Sequence, residues 1–139
     1  MSTKHLKAET RVCVRWGDMD ALGHVNNAVY FRYIEQARVD WLASQNHLNH
    51  GDEGFVLIYT NCSFLKPVVY PADVIIKTYL NAIGNSSVSL EHELTVDTDS
   101  ENIYAKAEAK MVWIDYAKEK SKPLPAKVVD FLTNKTNTD

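Results

Sequence analysis

Trp16-Gly17-Asp18-Met19-Asp20-Ala21-Leu22-Gly23-His24-Val25-Asn26-Asn27-Ala28-Val29-Tyr30-Phe31 changes character at Asn26. Before it, residues 17–26 have no hydrophobic period and contain two glycines, so they read as an irregular loop. After it, Tyr30, Ile34, Ala37 and Trp41 recur at helical spacing, with Tyr33 and Leu42 beside them. Arg32, Glu35, Gln36, Arg38 and Asp40 take the remaining surface, and Glu35 and Arg38, spaced i, i+3, can pair on it. Asn26 is the expected N-cap, since its side-chain oxygen can accept from a free first-turn amide. The prediction is one long amphipathic helix that frays into the polar segment Gln45–Asp52, where turn formers replace the apolar period.

Outward from this helix, both flanks read as β. On the N-terminal side, Thr10 to Trp16 places Val12, Val14 and Trp16 on one side and Arg11, Cys13 and Arg15 on the other. On the C-terminal side, Phe55-Val56-Leu57-Ile58-Tyr59 is nearly continuous apolar, which predicts a strand covered on both faces and running through Cys62 and Phe64 to Pro67. Val74, Ile76, Thr78 and Leu80 alternate with Ile75, Lys77 and Tyr79 up to the turn Gly84-Asn85-Ser86-Ser87. Val88, Leu90, His92, Leu94 and Val96 alternate with polar residues, and His92 on that apolar face is expected to be a hydrogen-bonded core or interface histidine. After the turn Asp97–Asn102, Ile103, Ala105, Ala107, Ala109, Met111 and Trp113 share one face. Its three alanines leave room for a bulky element across the sheet, and the long helix is the only candidate of that size. A short helix holding Val128, Val129, Phe131 and Leu132 follows Pro125, and the tail from Thr133 is expected to fray. Strand, helix, then four strands with turn-length connections imply an α+β fold: a five-stranded antiparallel sheet wrapped around one helix, in a single domain spanning 1–139.

Composition narrows the function. With 139 residues, 45% hydrophobic, the chain can hold a core without metal or disulfide staples. Cys13 and Cys62 therefore need no structural bond, and two lone thiols suit a reducing compartment. The formal net charge of -3 argues against affinity built on neutralising a nucleic-acid backbone, though not against a small phosphorylated ligand. No apolar run approaches a membrane span and the start Met1–Lys7 lacks a signal-peptide stretch, so a cytoplasmic location is expected.

The loop before the helix concentrates the unusual chemistry. Asp18, Asp20, His24, Asn26 and Asn27 sit where a helix N-terminus exposes unpaired N–H groups and partial positive charge. Such amides can stabilise an oxyanion, and a nearby carboxylate can serve as base or nucleophile. A plain structural account is also open, with both aspartates as turn residues, His24 solvated and Asn26 a cap. A metal site on Asp18, Asp20 and His24 is disfavoured, because the spacing is no recognised ligand pattern.

The segment Trp16–Phe31, followed by Tyr33, Glu35, Ala37 and Arg38, resembles the hotdog-fold acyl-CoA thioesterases of the 4-hydroxybenzoyl-CoA thioesterase type, whose pattern runs Asp-x-Asp-x-x-Gly-His-x-Asn-Asn-x-x-Tyr. The match is complete, and it extends more loosely through Phe64-Leu65-Lys66-Pro67, Ala72-Asp73 and Ile83–Ser87. The resemblance implies the hotdog fold and hydrolysis of an acyl-CoA, or of an acyl-carrier-protein thioester. It also implies a homodimer or homotetramer and no metal or other cofactor. Asp20 corresponds to the catalytic acid residue and the Asn27 backbone N–H to the donor on the thioester carbonyl. Gly23, His24, Asn26 and Tyr30 would shape the loop and position substrate, although Tyr30 on the apolar stripe also reads as core. Lys66, Ser86 and Ser87, with Lys77 nearby, are the candidates for the coenzyme A phosphates. A hotdog module that binds acyl-CoA without turnover and, less in keeping with the motif, a hydroxyacyl-thioester dehydratase are the rival readings.

Overall fold

The computed structural model describes residues 4–134. β1 (His5–Cys13) leads through a 3-10 turn at Trp16–Asp18 into α1 (Asn27–Ala43). Then come β2 (Asn49–His50), β3 (Glu53–Phe64), β4 (Asp73–Ile83), β5 (Ser87–Val96), β6 (Ala105–Asp115), β7 (Lys120–Ser121) and α2 (Ala126–Thr133). All pairings are antiparallel, in the order β1-β4-β5-β6-β3-β2, with β7 beside β6. The α+β class and the five long strands agree with the sequence. The two-residue strands β2 and β7 add to the predicted five, because pairs this short carry no periodic signal. The part of the expected frayed tail beyond Asn134 lies outside the described residues.

α1 lies where the alanines allow it. Ala105, Ala107 and Ala109 are at most 3% exposed. Around them the core divides in two. One apolar cluster joins Trp41 and Leu42 of α1 to Ala109, Met111 and Trp113 of β6 and to Val128, Phe131 and Leu132 of α2. The other joins Tyr30, Tyr33 and Ala37 to Ala105, Leu94, Val74, Val14 and Val25, and so holds the loop and the start of α1 on the sheet. Each such large apolar side chain contributes about 1.5–3 kcal/mol on full burial. The start of α1 is thus anchored rather than frayed.

Four expectations need correction. β1 begins at His5 and ends at Cys13, so Val14 is buried by the loop packing, while Trp16 stands exposed at 72% beside Tyr70. The chain leaves the sheet there: Val14 N–H bonds Ala72 C=O and the next residues turn. β6 begins at Ala105, because Tyr104 N–H is taken by Leu94 C=O and its C=O by Leu65 and Lys66 N–H at a corner. β3 is not covered on both faces: Leu57, Ile58 and Tyr59 are 43%, 56% and 56% exposed, and the register slips between Leu57 and Tyr59. Finally, Glu35 pairs with Arg32 at 3.1 Å, and Arg38 points inward and is buried. Periodicity cannot see this, because a lone Arg beside an apolar stripe reads as its polar edge.

Candidate active site

The two aspartates of the loop have different surroundings. Asp18 Oδ2 accepts from Arg15 N–H at 2.9 Å and from the Tyr33 hydroxyl at 2.7 Å, while its C=O accepts from Asn26 N–H. It therefore ties the loop to α1. Burial and the carboxylate together push the Tyr33 phenol far up, so it stays a donor. Asp20 Oδ1 accepts only Leu22 N–H at 2.9 Å, and its Oδ2 has no hydrogen-bond partner among the described residues. The turn around it closes through Asp20 N–H to His24 C=O and Gly23 N–H to Asp20 C=O. Gly23 adopts φ +84°, a conformation that disfavours any side chain.

At the helix start, Asn26 caps as its sequence position predicts: its Oδ1 accepts from Ala28 N–H at 2.9 Å. Asn26 C=O takes Val29 N–H. Asn27 N–H, at the first helical position, is left without an acceptor among the described residues. It sits at the positive end of a 17-residue helix, where a developing negative charge is favoured.

Beside it lies a pocket of about 270 Å³ lined by His24, Val25, Asn27, Tyr30, Phe64, Leu65, Lys66 and Pro67. Tyr30 is buried; its hydroxyl accepts from Val68 N–H at 3.0 Å and donates to Lys66 C=O at 3.5 Å, so it clamps the segment after β3 against the helix start. Phe64 meets the Tyr30 ring edge-on at 5.0 Å. Tyr30 is thus core and pocket wall at once. Asp20 is not in the lining, but its N–H bonds the carbonyl of His24, which is.

Of the remaining predicted residues, Lys66 borders the pocket, 3.6 Å from Asp99 and over the Tyr104 ring. Ser86 and Ser87 are elsewhere. Ser86 C=O takes Trp113 N–H, and Ser87 opens β5 seven residues before Leu94, roughly 23 Å away along the strand. Lys77 lies within β4 opposite Glu93. Neither cysteine is poised as a nucleophile: burial pushes the Cys62 thiol up to about 11, and the neighbouring Asp73 carboxylate raises that of Cys13. Among the described residues no cluster of three or more His, Cys, Asp or Glu is arranged to hold a metal. Sequence reasoning missed Phe64, Leu65 and Pro67 as pocket walls and Tyr33 as the anchor of Asp18. Only the hydroxyl of Tyr33, on an otherwise apolar stripe, pointed to a partner.

The profile of the thioesterase-like superfamily matches residues 14–132. The chain belongs to that superfamily. The chain is also similar to solved structures. PA2801 of Pseudomonas aeruginosa, a proposed thioesterase, is 40% identical with a TM-score of 0.86, over 90% of this chain and 97% of that one. A proposed acyl-CoA thioesterase of Xanthomonas campestris is 32% identical with a TM-score of 0.77, over 86% of this chain and 99% of that one. Among curated proteins, the long-chain acyl-CoA thioesterase FadM of Escherichia coli is 27% identical over 116 residues, 81% of this superfamily member and 87% of FadM.

Proposed function

We propose that this chain is a thioester hydrolase that cleaves acyl-CoA to the free acid and coenzyme A. The observation that carries the reading is that one loop and helix start hold both an unspent first-turn amide, Asn27 N–H, and a carboxylate oxygen, Asp20 Oδ2, that no other group among the described residues uses. The thioester carbonyl accepts from Asn27 N–H, and the helix end stabilises the negative charge that grows on its oxygen. On one route Asp20 takes a proton from water as the water oxygen bonds to the carbonyl carbon; the C–S bond then breaks and the thiolate leaves, to be protonated. On the other, Asp20 itself attacks, coenzyme A departs, and water hydrolyses the resulting anhydride. Gly23, His24 and Asn26 hold the loop and cap in this geometry, and Tyr30 walls the acyl entrance. Lys66 is the candidate for a coenzyme A phosphate on this pocket, and the position of Ser86 and Ser87 leaves them out of it within one protomer.

The working unit in this proposal is a homodimer, alone or paired into a tetramer. β3 is bonded to β6 along its length, but on its other edge β2 reaches only Glu53 and Gly54. From Val56 to Phe64 no strand among the described residues covers that edge, Leu57, Ile58 and Tyr59 are exposed, and such an edge is an aggregation hazard unless covered. A second copy extending the sheet supplies that cover. A cytoplasmic location belongs to the same reading, in keeping with two unpaired thiols. No helix among the described residues is long and apolar enough to cross a membrane.

The test is thiol release from a panel of acyl-CoA substrates, and from acyl-carrier protein, by wild type and Asp20→Asn. Release by wild type with a loss of about 10²-fold or more in the variant is expected for a general base. Binding without release on any substrate makes the protein a carrier, and full turnover in Asp20→Asn removes Asp20 from the mechanism. An enoyl product with its thioester intact identifies a dehydratase.

A further inference from the structure

The loop before α1 is a small hairpin. Asp18 C=O accepts Asn26 N–H and Asp20 N–H reaches His24 C=O, both at 2.9 Å, with Met19 and Val25 paired between them. Its two arms are fastened differently. The arm of residues 24–26 runs straight into the helix, with Val25 buried and its N–H on Val68 C=O. The arm of residues 18–20 carries Asp20 and continues from Arg15, Trp16 and Gly17, all exposed. Between residues 16–24 and α1 the described residues make one hydrogen bond, from the Tyr33 hydroxyl to Asp18 Oδ2 at 2.7 Å.

The packing of α1 does not require that hydroxyl. Tyr33 lies on the apolar stripe of the helix, roughly 9 Å along the axis from Asn27, and is buried. A phenylalanine ring would fill the same space, whereas a buried hydroxyl is costly unless it is bonded. Burial and the Asp18 carboxylate keep the phenol protonated, so it remains a donor. The same Asp18 oxygen also accepts Arg15 N–H at 2.9 Å, which fixes the start of the arm. The two groups of the proposed reaction stand on separate elements, Asn27 N–H on α1 and Asp20 on the hairpin. The distance between them is therefore set by what ties the Asp20 arm to the helix.

We infer that Tyr33 is a positioning residue for thioester hydrolysis: through Asp18 it holds the Asp20 carboxylate in reach of a carbonyl carbon whose oxygen is bonded to Asn27 N–H. This rests on the thioesterase reading. Asp18 and Asp20 share one short arm, so loosening at Asp18 passes directly to Asp20. A reacting group displaced by about 1 Å can cost about 100-fold in rate. Substrate affinity has a different source, the pocket walled by Tyr30, Phe64 and Lys66, which neither Asp18 nor Tyr33 lines. The brace therefore acts on kcat and leaves KM nearly unchanged.

The experiment measures kcat and KM separately on the acyl-CoA that wild type hydrolyses fastest, well below the unfolding temperature of every chain compared. Those chains are wild type, Tyr33→Phe, Asp18→Ala, Asp18→Asn and the double variant Tyr33→Phe with Asp18→Ala. Tyr33→Phe should lower kcat about tenfold, with KM within about twofold of wild type. Asp18→Ala should lower kcat at least as far, and Asp18→Asn, whose amide oxygen can accept both bonds, should recover most of that loss. Adding Tyr33→Phe to Asp18→Ala should change nothing further, because the pair acts as one unit. An unchanged kcat in Tyr33→Phe, with only its unfolding affected, overturns the inference and leaves the thioesterase reading standing. So do losses confined to KM, or losses that multiply in the double variant. If wild type releases no thiol from any acyl-CoA, the thioesterase reading and this inference fall together.

Discussion

His92 makes the stability of this protein depend on pH in a window where few other groups act. Burial, assisted by the Arg38 charge, lowers its pKa from 6.5 to about 3. Because the folded value lies below the unfolded one, the unfolded chain takes up the proton first. Stability is therefore fully present above pH 6.5 and is lost as pH falls toward 3. A shift of this direction costs about 1.4 kcal/mol per pH unit inside the window. Between pH 7 and pH 5, allowing for the partial protonation near 6.5, the loss comes to about 2 kcal/mol. That is a sizeable share of the roughly 5–15 kcal/mol that holds a domain folded. Urea unfolding of wild type and His92→Leu at pH 7, 6 and 5 measures it by difference, since the other titrating groups are common to both chains. Wild type should lose about 2 kcal/mol more than the variant over that range. Parallel losses would refute the reasoning, showing that His92 either protonates freely in the folded state or is not buried as described.

Three further outcomes follow from the loop and the open edge. Asn26→Ala removes the oxygen that caps Ala28 N–H and should cost about 1 kcal/mol in thermal or urea unfolding. Tyr33→Phe deletes the 2.7 Å bond to the Asp18 carboxylate and should cost about 1.5–3 kcal/mol by the same measurement. Ile58→Lys places a charge on the open edge of β3 and should shift the protein toward monomer in light scattering; an unchanged mass would remove that edge from the interface.

The long helix was legible because Tyr30, Ile34, Ala37 and Trp41 repeat at a period no strand accommodates, and its cap because Asn26 stands where the apolar pattern begins. The seat for that helix was legible in Ala105, Ala107 and Ala109, a run of small residues on one face of a strand. The open edge of β3 was not, since Phe55 to Tyr59 is apolar whether its cover comes from the same chain or from a second copy. Nor was the inward turn of Arg38, which sequence spacing assigned to Glu35.

The chemistry of the candidate site divides in the same way. The residues themselves, two aspartates, a positive-φ glycine, an Asn cap and a following helix, are local features, and local backbone preferences write them directly into the chain. Which aspartate is spent and which is free is another matter. Asp18 is occupied because Tyr33, fifteen residues on, swings its hydroxyl onto it, and the pocket beside Asn27 exists because the end of β3 folds back against Tyr30. Those contacts join segments far apart along the chain, so their geometry comes only from packing the sheet, the helix and the loop together.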